Sequence, residues 1–275
     1  MASGSEMLRL FPVTAGINTD GHLCIGECDL VNVAEQYGTP LYIFDEETIR
    51  QNCNEFKNEF TASYPGTLIA YAAKAFISRK IAQIVSQKGL GLDVVSGGDM
   101  SIARSVDFPM KDVNFNGNNK LETELEMAID YGVGCVVVDN FHELALLNKI
   151  AAQKGVRQDI MIRINPGVDP HTHKYITTGN IDSKFGFPLM KGEEAVIAAL
   201  AAPNLNLGGL HFHIGSLIFE TGPYKQSVDS VLNFSSDMKR KHGFQLREFN
   251  VGGGVAIQYC LDSPAPPVSA YAKAI

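Results

Sequence analysis

Residues 68–117, LIAYAAKAFISRKIAQIVSQKGLGLDVVSGGDMSIARSVDFPMKDVNFNG, carry three short apolar runs that recur every twenty-odd residues. Leu68–Lys74, Leu90–Ser96 and Val113–Gly117 read as strands, and the stretch Ile77–Lys88 between the first two has helical periodicity. The same interval leads to Cys135–Asn140, and wider ones to Ile160–Pro166, Leu207–Gly215 and Glu248–Gly254, which leave room for elaborated loops. Helices are expected over Leu121–Tyr131, Phe141–Lys154, Gly192–Ala202 and Tyr224–His242, several opening on acidic and closing on basic residues as helix dipoles favour. One strand, one loop and one helix fill each interval, so the α/β fold expected is a (β/α)8 barrel. A doubly wound open sheet is the rival, but its Gly-rich turn after the first strand is missing, with Ala72-Ala73-Lys74-Ala75 standing there instead.

Both ends depart from this rhythm. Residues 1–45 are rich in turn formers, and Thr39–Phe44 reads as an isolated strand before a helix from Asp45 to Phe60, so this part is expected to belong to a second, mainly β domain. Residues 46–275 are expected to be the barrel. Ser263–Pro267 cannot lie inside a helix, Val268–Ile275 reads as a helix cut short, and only seven of eight strands are found, so the barrel is expected to be incomplete at this end.

Composition narrows the function class. The 275 residues are 45% hydrophobic and 19% charged, with 23 Lys and Arg against 30 Asp and Glu. A net charge of -7 argues against a nucleic-acid partner. No apolar run has the length of a membrane span, and the start MASGSEMLRLF lacks the features of a secretory signal, so a cytoplasmic location is expected. Cys24, Cys28, Cys53, Cys135 and Cys260 are an odd number in a chain too long to need disulfides, and three residues between Cys24 and Cys28 suit neither a zinc knuckle nor a redox pair.

In such a barrel the chemistry gathers where strands end. Lys74 closes the first run among small neighbours, either snorkelling to water or partly desolvated, with a lowered pKa and an amine able to react with a carbonyl. In Gly209–Ser216 the alternation puts Leu210, Phe212 and Ile214 on one face and His211 and His213 on the other, which the helix layer outside assigns to the interior. These imidazoles could ligate a metal, with His171 and His173 as a second pair, or could pack around an organic cofactor. Against the metal, only Asp139 supplies an acidic ligand at a strand end. Gly252, Gly253 and Gly254 end the seventh run, where backbone amides can approach an anion without a Cβ in the way, and Ser216 follows the sixth. A lysine, a histidine with a serine, and a glycine cradle together describe a pocket for pyridoxal phosphate, with no metal.

Seven motifs in order then resemble one family. They are Tyr71-Ala72-Ala73-Lys74-Ala75-Phe76, Gly91-Leu92-Asp93-Val94-Val95-Ser96-Gly97-Gly98, Asn116-Gly117-Asn118-Asn119-Lys120, Arg163–Val168, His171–Ile176 with Lys184-Phe185-Gly186, His211–Ser216, and Gly252-Gly253-Gly254. The chain resembles the diaminopimelate decarboxylases, of the alanine-racemase-like group in which a pyridoxal phosphate barrel is joined to a mainly β domain. The resemblance implies that Lys74 bonds the cofactor as a Schiff base and that His213 stacks on its ring. It also implies that Ser216 and Gly252–Gly254 hold its phosphate, and that Asp93 and Arg163 tune its charge. The reaction implied is decarboxylation of meso-diaminopimelate to L-lysine in a homodimer, with decarboxylases of ornithine, arginine or a carboxylated polyamine as the nearest alternatives and a metal-dependent barrel hydrolase as a remote one.

Two positions depart from the family pattern: Leu217 stands where glutamine is common and Asn250 where aspartate is frequent. The family's Glu-Pro-Gly-Arg motif and C-terminal β domain are not found up to Ile275, which implies that these 275 residues alone bind cofactor weakly and are inactive.

Overall fold

A computed structural model describes residues 7–168 and 184–275, so the His171 and His173 pair lies outside the described residues. The chain opens with a small antiparallel sheet, β1 (Gly16–Ile17), β2 (Leu23–Ile25) and β3 (Cys28–Asp29), followed by α1 (Leu30–Tyr37) and α2 (Glu46–Ser63). The barrel part then runs β4 (Ala70–Ala72), α3 (Arg79–Gln87), β5 (Gly91–Val94), α4 (Gly97–Arg104), β6 (Val113–Phe115), α5 (Glu122–Tyr131), β7 (Cys135–Val138), α6 (Phe141–Lys154) and β8 (Gln158–Asn165). It continues with β9 (Phe187–Pro188), α7 (Leu189–Ala201), β10 (Leu205–His211), α8 (Gly222–His242), β11 (Glu248–Asn250) and α9 (Val268–Ala274).

All seven strands expected from the periodicity form, and they pair parallel in the order β4-β5-β6-β7-β8-β10-β11, with short β9 added beside β8. Alternation sorts their side chains into two layers. Leu92, Val94, Val136, Val138, Ile160, Ile162 and Ile164 join the large core beneath the helices. Cys135, Val137 and Met161 point the other way and form a separate inner cluster, which floors the interior below Arg163. Among the described residues β4 and β11 are not paired with each other, so the sheet is curled but open between them. The helix layer bridges that gap, because α9 packs on α2 and α8.

Two expectations need correction. Thr39–Phe44 forms no strand, and Leu41, Tyr42, Ile43 and Phe44 are all exposed, because β-prone residues make a strand only where a partner edge is available. The acid-first, base-last pattern holds at both ends only of α4 (Asp99, Arg104) and α6 (Glu143, Lys154). Side-chain caps stand at the starts of α2, α3, α4 and α6 instead: Asp45, Ser78, Ser96 and Asn140 each accept a backbone N–H. The helix α4 fills the interval between the second and third strands, as the βα rhythm requires.

Candidate active site

The strand register brings the polar residues of the interior side by side. Ala72 pairs with Asp93 and Asp93 with Asn114, while His211 lies between Arg163 and Asn250. Lys74, Asp93, Arg163, His213, Ser216 and the three glycines all line one broad cavity, which runs through the open interior from the amino ends of the strands at Gly91, Gly134 and Asp159 to their carboxyl ends. The arrangement divides into two arcs.

Over β5 to β8 the charges are buried and closely partnered. Burial pushes the Asp93 carboxyl up to about 6, against the opposing pull of a short hydrogen bond from Asn116 Nδ2 and the positive charges of Lys74 and Arg163. Lys120 is fully enclosed and spends all three ammonium protons, donating to Gly117 O (2.7 Å), Val137 O (2.8 Å) and Glu143 Oε1 (2.7 Å). The second Glu143 oxygen accepts from the Asp139 backbone N–H at 3.4 Å. Burial drives Lys120 down and Glu143 up, each opposed by its partner's charge; with every ammonium proton accepted, the ionised pair is the state this geometry supports. Asp139 Oδ1 is buried without a hydrogen bond, 3.8 Å from Arg163 Nη1, and burial raises its carboxyl. The Arg163 guanidinium lies 4.5 Å from the centroid of the Phe185 ring, and Gly186 passes so close that a Cβ there would come within 2.8 Å of Arg163 O.

Over β4, β10 and β11, His211 is buried and His213 half-buried, while Lys74, Ser216 and Gly253 are exposed. Lys74 is exposed, which favours the water-facing one of the two alternatives that its sequence setting leaves open: its turn projects past the end of β4, which among the described residues is paired on one side only, with β5. Both histidines face the interior as the alternation requires. His211 is buried and held well below its ordinary pKa by desolvation, with Nδ1 unpartnered. Desolvation, then Lys74 and Arg163, lower His213 to about 4. The Gly253 N–H donates to His213 Nδ1 at 3.4 Å, so this neutral ring carries its proton on Nε2.

The glycines are built into a laced turn. Gly252 (φ +70°) and Gly254 (φ +95°) occupy backbone conformations that favour glycine, and a Cβ on Gly254 would fall 1.9 Å from Gly215 O. Gly253 has open space where a Cβ would stand and is exposed to the cavity. Asn250 Oδ1 accepts from Gly252 N–H (2.9 Å), Tyr224 donates to Gly253 O (2.9 Å), and Ile218 N–H donates to Gly254 O (2.9 Å), tying the loop that carries Ser216 to the glycine turn. The two departures noted in the sequence both fall here. Asn250 supplies the oxygen acceptor that an aspartate would, without its charge, and Leu217 is exposed and strained at φ +55°.

Sequence reasoning gave no role to Lys120, Glu143, Phe185 or Tyr224. The clue was present for the first, which closes a quoted motif, but its partner lies 23 residues away. Among the described residues no group of three or more His, Cys, Asp or Glu side chains could hold a metal ion.

Residues 46–275 match the family model described as "pyridoxal-dependent decarboxylase, pyridoxal binding domain". The chain belongs to this family. A pyridoxal cofactor comes with that membership. Among relatives of the pyridoxal-dependent decarboxylases, the diaminopimelate decarboxylase of Halalkalibacterium halodurans is 43% identical over 96% of this chain and 60% of its own length. That of Bacillus subtilis is 41% identical over 95% and 60%. The solved diaminopimelate decarboxylase of M. jannaschii in co-complex with L-lysine superposes with a TM-score of 0.88 at 35% identity, covering 95% of this chain and 61% of that one. The chain therefore spans about 60% of the length of these relatives.

Proposed function

We propose that the protein carrying this chain removes carbon dioxide from meso-diaminopimelate to yield L-lysine. The observation that carries this reading is one cavity lined by an accessible lysine amine, a neutral histidine and a glycine turn with open space at Gly253. Relatives named diaminopimelate decarboxylase, one of them solved with L-lysine, support the substrate. The residues present fit pyridoxal phosphate: Gly253 leaves room where a Cβ would crowd a phosphate, and an uncharged imidazole can lie against an aromatic ring without adding a cation.

When bound, pyridoxal phosphate supplies an aldehyde for amines and a pyridine ring that takes up the electron pair left as carbon dioxide departs. Lys74 would supply the amine that holds the aldehyde. His213 would lie against the ring and help to orient the substrate. Ser216 and the Gly252–Gly254 turn would hold the phosphate, and Asp93 with Arg163 would set the charge around the ring. The same reading makes residues 1–45 part of a second, mainly β domain and the whole protein a cytoplasmic homodimer.

The test is product analysis on the whole protein with a panel of amino acids. Equal amounts of carbon dioxide and L-lysine from meso-diaminopimelate are expected, with both lost in Lys74→Ala. Faster turnover of ornithine, arginine or a carboxylated polyamine would replace the substrate assigned here.

A further inference from the structure

The turn that carries Lys74 has little of its own to hold it. Ala73 N–H donates to Asp93 O (2.9 Å) and Ala75 N–H to Ala72 O (3.1 Å), and residues 76–78 belong to no helix or strand. Two contacts hold its far side. The Tyr71 hydroxyl, reaching out from β4, donates to Phe76 O at 2.8 Å. The Phe76 ring stacks on that of Phe44, with centroids 4.4 Å apart and planes at 21°. Phe44 belongs to the segment between α1 and α2. With Phe44 51% and Phe76 43% exposed, the pair is outside the buried clusters and clasps two segments together at the surface.

We propose that Phe44 and Phe76 are positioning residues for Lys74: their stack, anchored to β4 through the Tyr71 hydroxyl, sets where the lysine amine enters the cavity. The exposed segment 39–44 is thereby coupled to the site. This rests on the reading of Lys74 as the cofactor lysine.

The test follows the rate at which pyridoxal phosphate is captured by the whole protein freed of cofactor. The Lys74 nitrogen attacks the aldehyde carbon and water leaves; added borohydride then delivers hydride to the carbon–nitrogen double bond, and the resulting secondary amine is located by peptide mapping. Phe76→Leu and Phe44→Leu are each expected to slow capture at Lys74 about five-fold, the size of one aromatic pair. Phe76→Tyr should restore the rate, and labelling of the exposed Lys80 should not change. A merely structural stack would lower the thermal midpoint and leave capture at the wild-type rate, and that result in both leucine variants overturns the proposal. Should the leucine variants unfold, Tyr71→Phe removes only the hydroxyl and must itself slow capture; a wild-type rate there is equally fatal. No label on Lys74 in the unsubstituted protein would instead sink the reading of Lys74, so the two failures are distinct.

Discussion

The two arcs of strand ends differ in how their polar groups are satisfied. Over β5 to β8, Lys120 and Glu143 are enclosed and hydrogen-bonded to each other and to backbone, and Arg163 is packed on Phe185. Over β4, β10 and β11, Lys74, Ser216 and Gly253 are exposed, and the turn glycines are held by backbone and tyrosine contacts. In the first arc the Lys120–Glu143 pair is spent on itself and on backbone, while Asp139 keeps one buried oxygen without a hydrogen bond. The second exposes a lysine amine and a serine hydroxyl to the cavity, groups that can meet a ligand. Asp93 in the first arc and His213 in the second both line the cavity, each pushed by burial toward its uncharged form.

The strongest way to break this contrast is to unpair the buried charges. Glu143→Gln or Lys120→Met leaves an enclosed charge without its partner and should cost about 3–5 kcal/mol in urea unfolding. Lys74→Ala, in the open arc, should leave the unfolding midpoint nearly unchanged. Next come the glycines. Gly254→Ala puts a Cβ on Gly215 O and should destabilise by about 2–3 kcal/mol, whereas Gly253→Ala should leave stability intact while weakening pyridoxal phosphate binding measured by titration.

The boundary pair has a pH signature. Asp93, raised from 3.8 to about 6, binds more proton in the folded than in the unfolded state between those values, so its contribution to stability falls as pH rises through that window. His213, lowered from 6.5 to about 4, binds less proton when folded, so its contribution rises with pH between about 4 and 6.5. The two oppose each other. Asp93→Asn should make the slope of stability against pH in this range more positive, and His213→Asn less positive, each by up to about 1.4 kcal/mol per pH unit. Unchanged slopes would show that neither group is buried as described. The smallest effect belongs to Tyr224→Phe, which removes one hydrogen bond to Gly253 O and should cost about 1 kcal/mol.

The strands were legible because each is a short apolar run between turn residues, repeated at the length of one βα unit. Interior histidines were legible because strict alternation around Phe212 leaves them one face only. Thr39–Phe44 misled because β propensity is local while pairing needs a second edge, and the described residues offer it none. Lys120 was opaque for a similar reason: a lysine closing an Asn- and Gly-rich loop reads as solvated until the register of β6 and β7 brings α6, and with it Glu143, alongside. The exposure of Lys74 goes with its place in the turn after β4, a strand that among the described residues is paired on one side only, which no local pattern encodes.

The most direct measurement is to treat the cofactor-loaded whole protein with borohydride and map the modified lysine. A pyridoxyl group on the peptide containing Lys74, absent in Lys74→Ala, is the predicted result. A label on Lys120 instead, or one that survives Lys74→Ala, would mean that the open arc is not where the cofactor is bound.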